Sequence, residues 1–200
     1  MEVCKLLLKC LKDKNPSSNN GNTPLHLAAS HFEICKLFLQ CDIEINQREI
    51  EMLMKNVCME LRIMVCDTVL ENNSSVKNRQ TLLYVAAENG DSEIFKLIWE
   101  ADGSGSKISR FNGKTAFHIA AMRGHIEICK YLLNCLNNKN PCNKARQTPL
   151  YFAAKKNHFE ICKLFLHYDI EINQMEMKML KKKGQMELIN LFNETSAARR

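Results

Sequence analysis

The chain has 200 residues, of which 46% are hydrophobic and 25% are charged, so it can bury a sizeable core as one domain or two. Its 28 Lys and Arg against 22 Asp and Glu give a net charge of +6, which mildly favours an acidic partner. The same charge is well below the density of a dedicated nucleic-acid binder, so that class is not expected.

The first residues, MEVCKLLLKCLKDKNP, contain no basic n-region and no small-residue cleavage site. No apolar run approaches the roughly 18 residues that a membrane span needs. We therefore expect an intracellular protein, cytoplasmic or nuclear, whose ten cysteines are free thiols.

Along the chain, the segments TPLHLAA, TLLYVAA, TAFHIAA and TPLYFAA begin at Thr23, Thr81, Thr115 and Thr148. The second and third lie 34 residues apart, and the third and fourth 33. In each segment, Thr predicts a helix N-cap, and Pro follows it in two of them at the first helical position. Each is followed by a second apolar helix such as IEICKYLL, so the repeating unit is a pair of helices.

A longer duplication reveals two further units. HFEICKLFL recurs from His31 to His158 and DIEINQ from Asp42 to Asp169, both displaced by 127 residues. The tails that follow, from Arg48 and Met175, lack the Thr-Pro opening, and we interpret them as degenerate units whose shortened connections have lost a loop.

The combination of Thr23–His26, Ala28–Ala29 and Gly124–His125 at a period near 33 resembles the ankyrin-repeat family over residues 1–192. The resemblance implies an all-α solenoid of stacked helix-turn-helix units with short β-hairpin fingers, forming a single domain. On this basis the chain divides into a partial repeat at 1–19, repeats at 20–47, 77–109, 110–142 and 143–174, degenerate repeats at 48–76 and 175–192, and a tail at 193–200.

Histidine and cysteine recur four residues apart, as in His125 with Cys129 and His158 with Cys162, a spacing that could supply a thiol with a base or two zinc ligands. Three copies in register, the third being His31 with Cys35, are typical of a scaffold rather than of one active site. We interpret these residues, and His26 and His118 in the T-P-L-H position, as structural. The sequence therefore predicts no catalytic residue, no cofactor and no metal site.

In the ankyrin family, the concave side is formed by the finger tips and the ends of the first helices. At these positions the chain carries mostly basic residues, which are Lys77, Arg79, Arg110, Phe111, Lys114, Arg123, Lys144, Arg146, Lys155 and Lys156. They predict a basic groove with Phe111 as an apolar anchor, suited to an acidic protein surface. The alternative is that these loops are simply solvated, and a second basic run, Lys181–Lys183, is interpreted as a polar cap on the last repeat.

The function that follows is a non-catalytic, monomeric protein-interaction scaffold without a small-molecule substrate. The alternative is a regulatory segment of a larger protein that carries an enzyme, channel or degradation-adaptor domain. This alternative is motivated by the N-terminal match, MEVCKLLLKCL, to a second helix whose first helix is missing.

Overall fold

The computed structural model describes residues 13, 15–20, 22–41, 43–71, 76–102, 109–110, 113–168, 170 and 172–197. The first six helices are α1 Pro24–Ala28, α2 Phe32–Leu39, α3 Gln47–Asn56, α4 Met59–Glu71, α5 Val76–Asn89 and α6 Ser92–Asp102. After them come strands β1 Ser109–Arg110 and β2 Lys114–Thr115, and then α7 Ala116–Arg123, α8 Ile126–Cys135, α9 Pro149–Lys155, α10 Phe159–His167, α11 Gln174–Lys182 and α12 Met186–Ala197. The predicted all-α class with a short β-hairpin is confirmed.

The chain forms two compact units, one of residues 1–89 and 93–103 and the other of residues 90–92 and 104–200. In the first unit, α3 packs between α1 and α5, while α2 packs on α4 in a second layer. In the second unit, α9 packs between α7 and α11, while α10 packs between α8 and α12. Each unit is therefore a two-layered stack of helix pairs, and the single domain over residues 1–192 stays a prediction.

The core of the second unit lies between these two layers. Phe117 of α7 and Phe165 of α10 are 1% and 0% exposed, and their rings stack with centroids 5.3 Å apart. The small side chains Ala120 and Ala153 are completely buried in the first-helix layer, where they allow neighbouring helices to approach closely.

The predicted helix starts at Thr23 and Thr148 are confirmed. The side-chain oxygen of Thr148 accepts from the backbone N–H of Tyr151 at 3.1 Å, and Pro149 occupies the first helical position. Helix α5 is different because it begins at Val76, ahead of Thr81. The preceding residues include good helix formers, and no proline follows Thr81 to fix the start, so the helix extends toward the N-terminus.

The two units that were predicted to be degenerate begin with complete caps. Asn173 accepts from the backbone N–H of Glu176 at 2.9 Å, and the Glu176 carboxylate accepts from the backbone N–H of Asn173 at 2.7 Å. Asn46 and Glu49 repeat the arrangement at 3.1 and 2.8 Å. These reciprocal capping boxes replace the Thr-Pro opening. The connections 40–46 and 168–173 are shorter than the 13 residues between α8 and α9, and the loss of a finger at both stays a prediction.

The end of α7 is fixed by a left-handed residue. Gly124 has φ +92°, and the N–H of His125 reaches back to the carbonyl of Ala120 at 3.0 Å. A Cβ on Gly124 would lie 2.7 Å from Cε1 of His158, whose Nε2 is 3.0 Å from the carbonyl of Met122. Both the backbone angle and the packed imidazole therefore require glycine.

Gly124→Ala and Gly184→Ala form a matched pair, because both residues have positive φ but a Cβ on Gly184 would meet nothing within 4 Å. We expect Gly184→Ala to lower the free energy of unfolding by about 1 kcal/mol through backbone strain. Gly124→Ala is expected to cost about 1–3 kcal/mol more, because the His158 ring must move. Urea denaturation of both variants measures the difference, and equal losses would show that the imidazole contact is unimportant.

Candidate partner-binding surface

The finger ahead of α9 is organised by Asn143, which is 6% exposed. The side-chain oxygen of Asn143 accepts from the backbone N–H groups of Ala145 and Gln147, both at 2.9 Å. Its backbone N–H donates to the carbonyl of Gln147 at 2.9 Å, and Arg146 takes the left-handed conformation with φ +56°. One buried amide therefore fixes the loop that presents Lys144 and Arg146 to solvent.

His118 ties this finger to the preceding repeat. Its Nδ1 accepts from the backbone N–H of Thr115 at 3.1 Å, and its Nε2 donates to the carbonyl of Gln147 at 3.1 Å. The side chain is 0% exposed, and this burial, with a smaller contribution from the charge of Lys114, lowers the pKa of His118 to about 4. His118 is therefore neutral at pH 7, and its predicted structural role is confirmed.

The preceding finger is the hairpin of β1 and β2, in which Arg110 pairs with Lys114. At its turn, Gly113 has φ +76°, and a Cβ there would lie 3.1 Å from the backbone nitrogen of Lys144. The two fingers of the second unit therefore lie in contact at Gly113, which has no side chain to separate their backbones.

The predicted surface residues of the second unit fall into three groups. The exposed ones are Arg123, Lys144, Arg146, Lys155 and Lys156. Lys114 is half-buried, and its ammonium makes a cation–π contact, with Nζ 4.9 Å from the ring centroid of Phe152. Phe111 and the side chain of Arg110 lie outside the described residues, as does the glycine-serine stretch at 103–108.

The sequence predicts Lys77 and Arg79 at a finger, but neither residue lies in one. Both occupy the first turns of α5, because that helix begins at Val76. They belong to the first unit, whereas the other predicted residues belong to the second.

The charges of the two helical layers differ. Second-helix lysines are ion-paired: Lys96 with Glu93 at 3.3 Å, Lys130 with Glu127 at 2.9 Å, and Lys163 with Glu187 at 3.4 Å. Such exposed pairs add little stability but neutralise that face. At the first-helix ends, Lys155 and Lys156 have no carboxylate within ion-pair distance among the described residues. The unbalanced positive charge of the second unit is therefore concentrated at the fingers and first-helix ends.

Two lysines that the sequence analysis had assigned to a polar cap complete this surface. Lys182 and Lys183 line, with Lys155, Lys156, Asn157 and Met179, an open cleft of about 450 Å³, which we call the lysine cleft. The signal was present in the sequence, since each lysine pair immediately precedes the left-handed residue that ends its helix, Asn157 or Gly184. Only the packing of α9 on α11 brings the pairs together.

A family model described as ankyrin repeats (3 copies) matches residues 1–49, 52–136 and 83–176. The chain belongs to the ankyrin-repeat family. The predicted resemblance is thus confirmed, and the stacked helix pairs with projecting fingers are its repeats.

Among curated relatives, a human ankyrin and armadillo repeat-containing protein is 23% identical over 66% of this chain. Protein phosphatase 1 regulatory subunit 12A of Mus musculus is 38% identical over 36% of the chain. An L-asparaginase of Dirofilaria immitis is 44% identical over 26% of the chain. The chain spans only 10%, 7% and 9% of the length of these three relatives, respectively.

Two ankyrin repeats carry a buried glutamate where others have histidine. Glu176 is 0% exposed and accepts from Nδ2 of Asn140 at 3.2 Å, from Oγ1 of Thr148 and from the backbone N–H of Asn173. Burial raises the pKa of Glu176, and these hydrogen bonds oppose the rise. Asn15, Thr23 and Glu49 form the same network in the first unit.

The cysteines of the second helices are packing residues of the repeat. Cys129 and Cys162 are buried at 0% and 2% exposure, and desolvation raises the pKa of the Cys162 thiol to about 12. A thiol held neutral in this way is a poor nucleophile and a poor metal ligand at pH 7, which supports their structural interpretation.

The depressed pKa of His118 predicts a pH dependence of stability. Between pH 6.5 and about 4 the unfolded chain takes up a proton that the folded chain excludes, so the free energy of unfolding falls by about 3 kcal/mol as the pH decreases. His118→Gln should remove this part of the slope, whereas the exposed His167→Gln should retain it. Urea titrations at several pH values measure it, and an unchanged slope in His118→Gln would contradict the assignment.

The buried glutamate network predicts a large effect of a single truncation. Glu176→Ala leaves the donors of Thr148, Asn140 and Asn173 without their acceptor and should lower the free energy of unfolding by about 3 kcal/mol or more. Glu187→Ala removes only an exposed ion pair with Lys163 and should cost less than about 0.5 kcal/mol. Similar losses for the two variants in chemical denaturation would show that the network contributes little.

Proposed function

We propose that the chain is a non-catalytic protein-interaction module that binds an acidic partner through its fingers and first-helix ends. The observation that supports this most directly is the uneven distribution of charge in the second unit. Second-helix lysines are neutralised by glutamates, whereas Lys144, Arg146, Lys155 and Lys156 are exposed and face no carboxylate among the described residues.

The rigidity of the finger supports the proposal. Asn143 and His118 fix the loop that carries Lys144 and Arg146, so binding loses less conformational freedom than it would in a mobile loop. The proposed contacts in the second unit also include Arg110, Phe111 and Arg123. Lys77 and Arg79 of the first unit remain a separate prediction.

The absence of catalysis is part of the proposal. It is supported by the structural roles of His118, Cys129 and Cys162 and by the names of two relatives, a repeat-containing protein and a regulatory subunit, whereas the name of the L-asparaginase does not support it. No helix among the described residues is both long and apolar enough to cross a membrane. We propose further that the module is monomeric and acts inside the cell, where reduced cysteines persist.

A regulatory segment of a larger protein is the second candidate. It is favoured by two relatives, of which this chain matches only 10% and 7% of the length. An antibody raised against the purified chain distinguishes the two in extracts of the native cell. A band near 23.1 kDa supports a separate module, and a much larger band supports the segment.

Charge reversal tests the surface. A finger variant with Arg110→Glu, Lys144→Glu and Arg146→Glu should lose proteins that the unmodified chain captures from native extract at low salt, because like charges now face the partner. A control with Lys36→Glu, Lys130→Glu and Lys178→Glu has the same net charge and should retain them. Quantitative mass spectrometry of the captured proteins measures both, and identical capture by the finger variant and the unmodified chain would refute the proposed surface.

A further inference from the structure

We propose that the lysine cleft seats a short acidic segment of a protein partner, with Asp or Glu carboxylates against its four lysines and an apolar side chain against Met179. This inference rests on the proposed function and identifies the kind of partner sequence that the second unit recognises.

The cleft is built from two successive repeats in equivalent positions. Lys155 and Lys156 end α9 before Asn157, and Lys182 and Lys183 end α11 before Gly184. Asn157 and Gly184 have φ +62° and +66°, and each helix is closed by a backbone hydrogen bond from the residue that follows, at 2.9 and 3.1 Å.

A side-chain contact holds the two ends in register. Nε2 of Gln185 donates to Oδ1 of Asn157 at 3.0 Å and lies 3.4 Å from the carbonyl of Ala154. The backbone that carries the four lysines is therefore tied together across the cleft. A preformed cleft of about 450 Å³ lies in the range of roughly 300–1,000 Å³ that is typical of ligand sites.

Four positive charges around one cleft repel each other. A helix C-terminus attracts a lysine, which accounts for lysine at the end of either helix alone. Two lysines at each of two adjacent helix ends are more than this attraction accounts for. None of the four has a carboxylate within ion-pair distance among the described residues. An anionic ligand would relieve this repulsion.

The first unit provides an internal comparison, because it contains the duplicated copy of these repeats. At the end of α1 the two-residue deletion leaves Ser30 where the second copy has the Lys155–Asn157 stretch. At the end of α3 the remaining Lys55 pairs with Glu88 at 3.4 Å. The copy in the first unit is thus electrically balanced at this position, and the cleft is a feature of the second copy.

The lining of the cleft favours a peptide over other anions. Met179 and the alkyl stems of the lysines offer apolar contacts beside the charges, which suits a segment that mixes acidic and apolar residues. None of the six lining residues is aromatic, so the cleft provides no platform for stacking bases. A flat lipid surface would not enter a concave site.

The test uses the full 200-residue chain and a fluorescein-labelled synthetic peptide, GSEELEELEEGS, followed by fluorescence anisotropy at low salt. A cleft variant with Lys156→Glu and Lys183→Glu should weaken binding about tenfold or more, because two attractions become repulsions. A control with Lys36→Glu and Lys130→Glu, both on second helices, has the same net charge and should change the Kd less than about twofold. A peptide with glutamine in place of glutamate should not bind.

Each other outcome overturns the inference. These outcomes are no binding of the acidic peptide by the unmodified chain, equal binding by the cleft variant, and equal weakening by the control. Stronger, cleft-dependent binding of oligo(dT) or of phosphatidylserine vesicles would assign the cleft to another class of ligand. The finger variant separates this inference from the proposed function. If that variant loses cellular capture while the cleft variant binds the peptide unchanged, the proposed function stands and the proposed ligand of the cleft is rejected.

Discussion

Within each unit, the packing of successive repeats depends on the third residue of α3, α7 or α11, where a completely buried polar side chain bonds to a neighbouring repeat. His118 reaches forward and donates to the carbonyl of Gln147 in the next finger. Glu176 reaches backward and accepts from Thr148 and Asn140 of the preceding repeat. A buried polar group without such a partner would cost free energy, so these three side chains each link one repeat to its neighbour.

The two glutamates follow the shortened connections. In the second unit, where a finger follows α7 and α8, His118 bonds to a carbonyl of that finger. Where the connection is shortened, at residues 40–46 and 168–173, the next repeat supplies a glutamate that bonds back to the threonine cap. The two copies, which lie 127 residues apart, therefore share both features: a shortened connection and the buried carboxylate that follows it. Both repeats thus keep a complete helix cap, and their interpretation as degenerate units stays a prediction.

Sequence patterns predicted what is encoded locally. Thr148 and Pro149 marked a helix start, and the Ile-Cys-Leu-Leu stripe marked the second helices, because caps and periodicity act over a few residues. The Asn46 and Asn173 caps also have a local signal, Asn-x-x-Glu, which a search for the Thr-Pro opening does not detect. The contact of Lys114 with the Phe152 ring depends on tertiary packing and has no local signal in the sequence, and the role of Lys114 in the surface stays a prediction. The lysine cleft depends on the same kind of information.

The two parts of the proposed surface rest on different chemistry. The finger depends on a neutral His118, and protonation would remove the acceptor that Nδ1 offers to the N–H of Thr115 while charging a fully buried ring. The lysine cleft depends on helix ends closed by backbone hydrogen bonds and by the amides of Gln185 and Asn157, none of which titrates. His118 in the folded chain stays neutral until the pH approaches its pKa of about 4, so the finger keeps this support down to that pH. The carboxylates of an acidic partner titrate at roughly pH 4 as well, so acidification weakens the contacts with the finger and with the cleft over the same range.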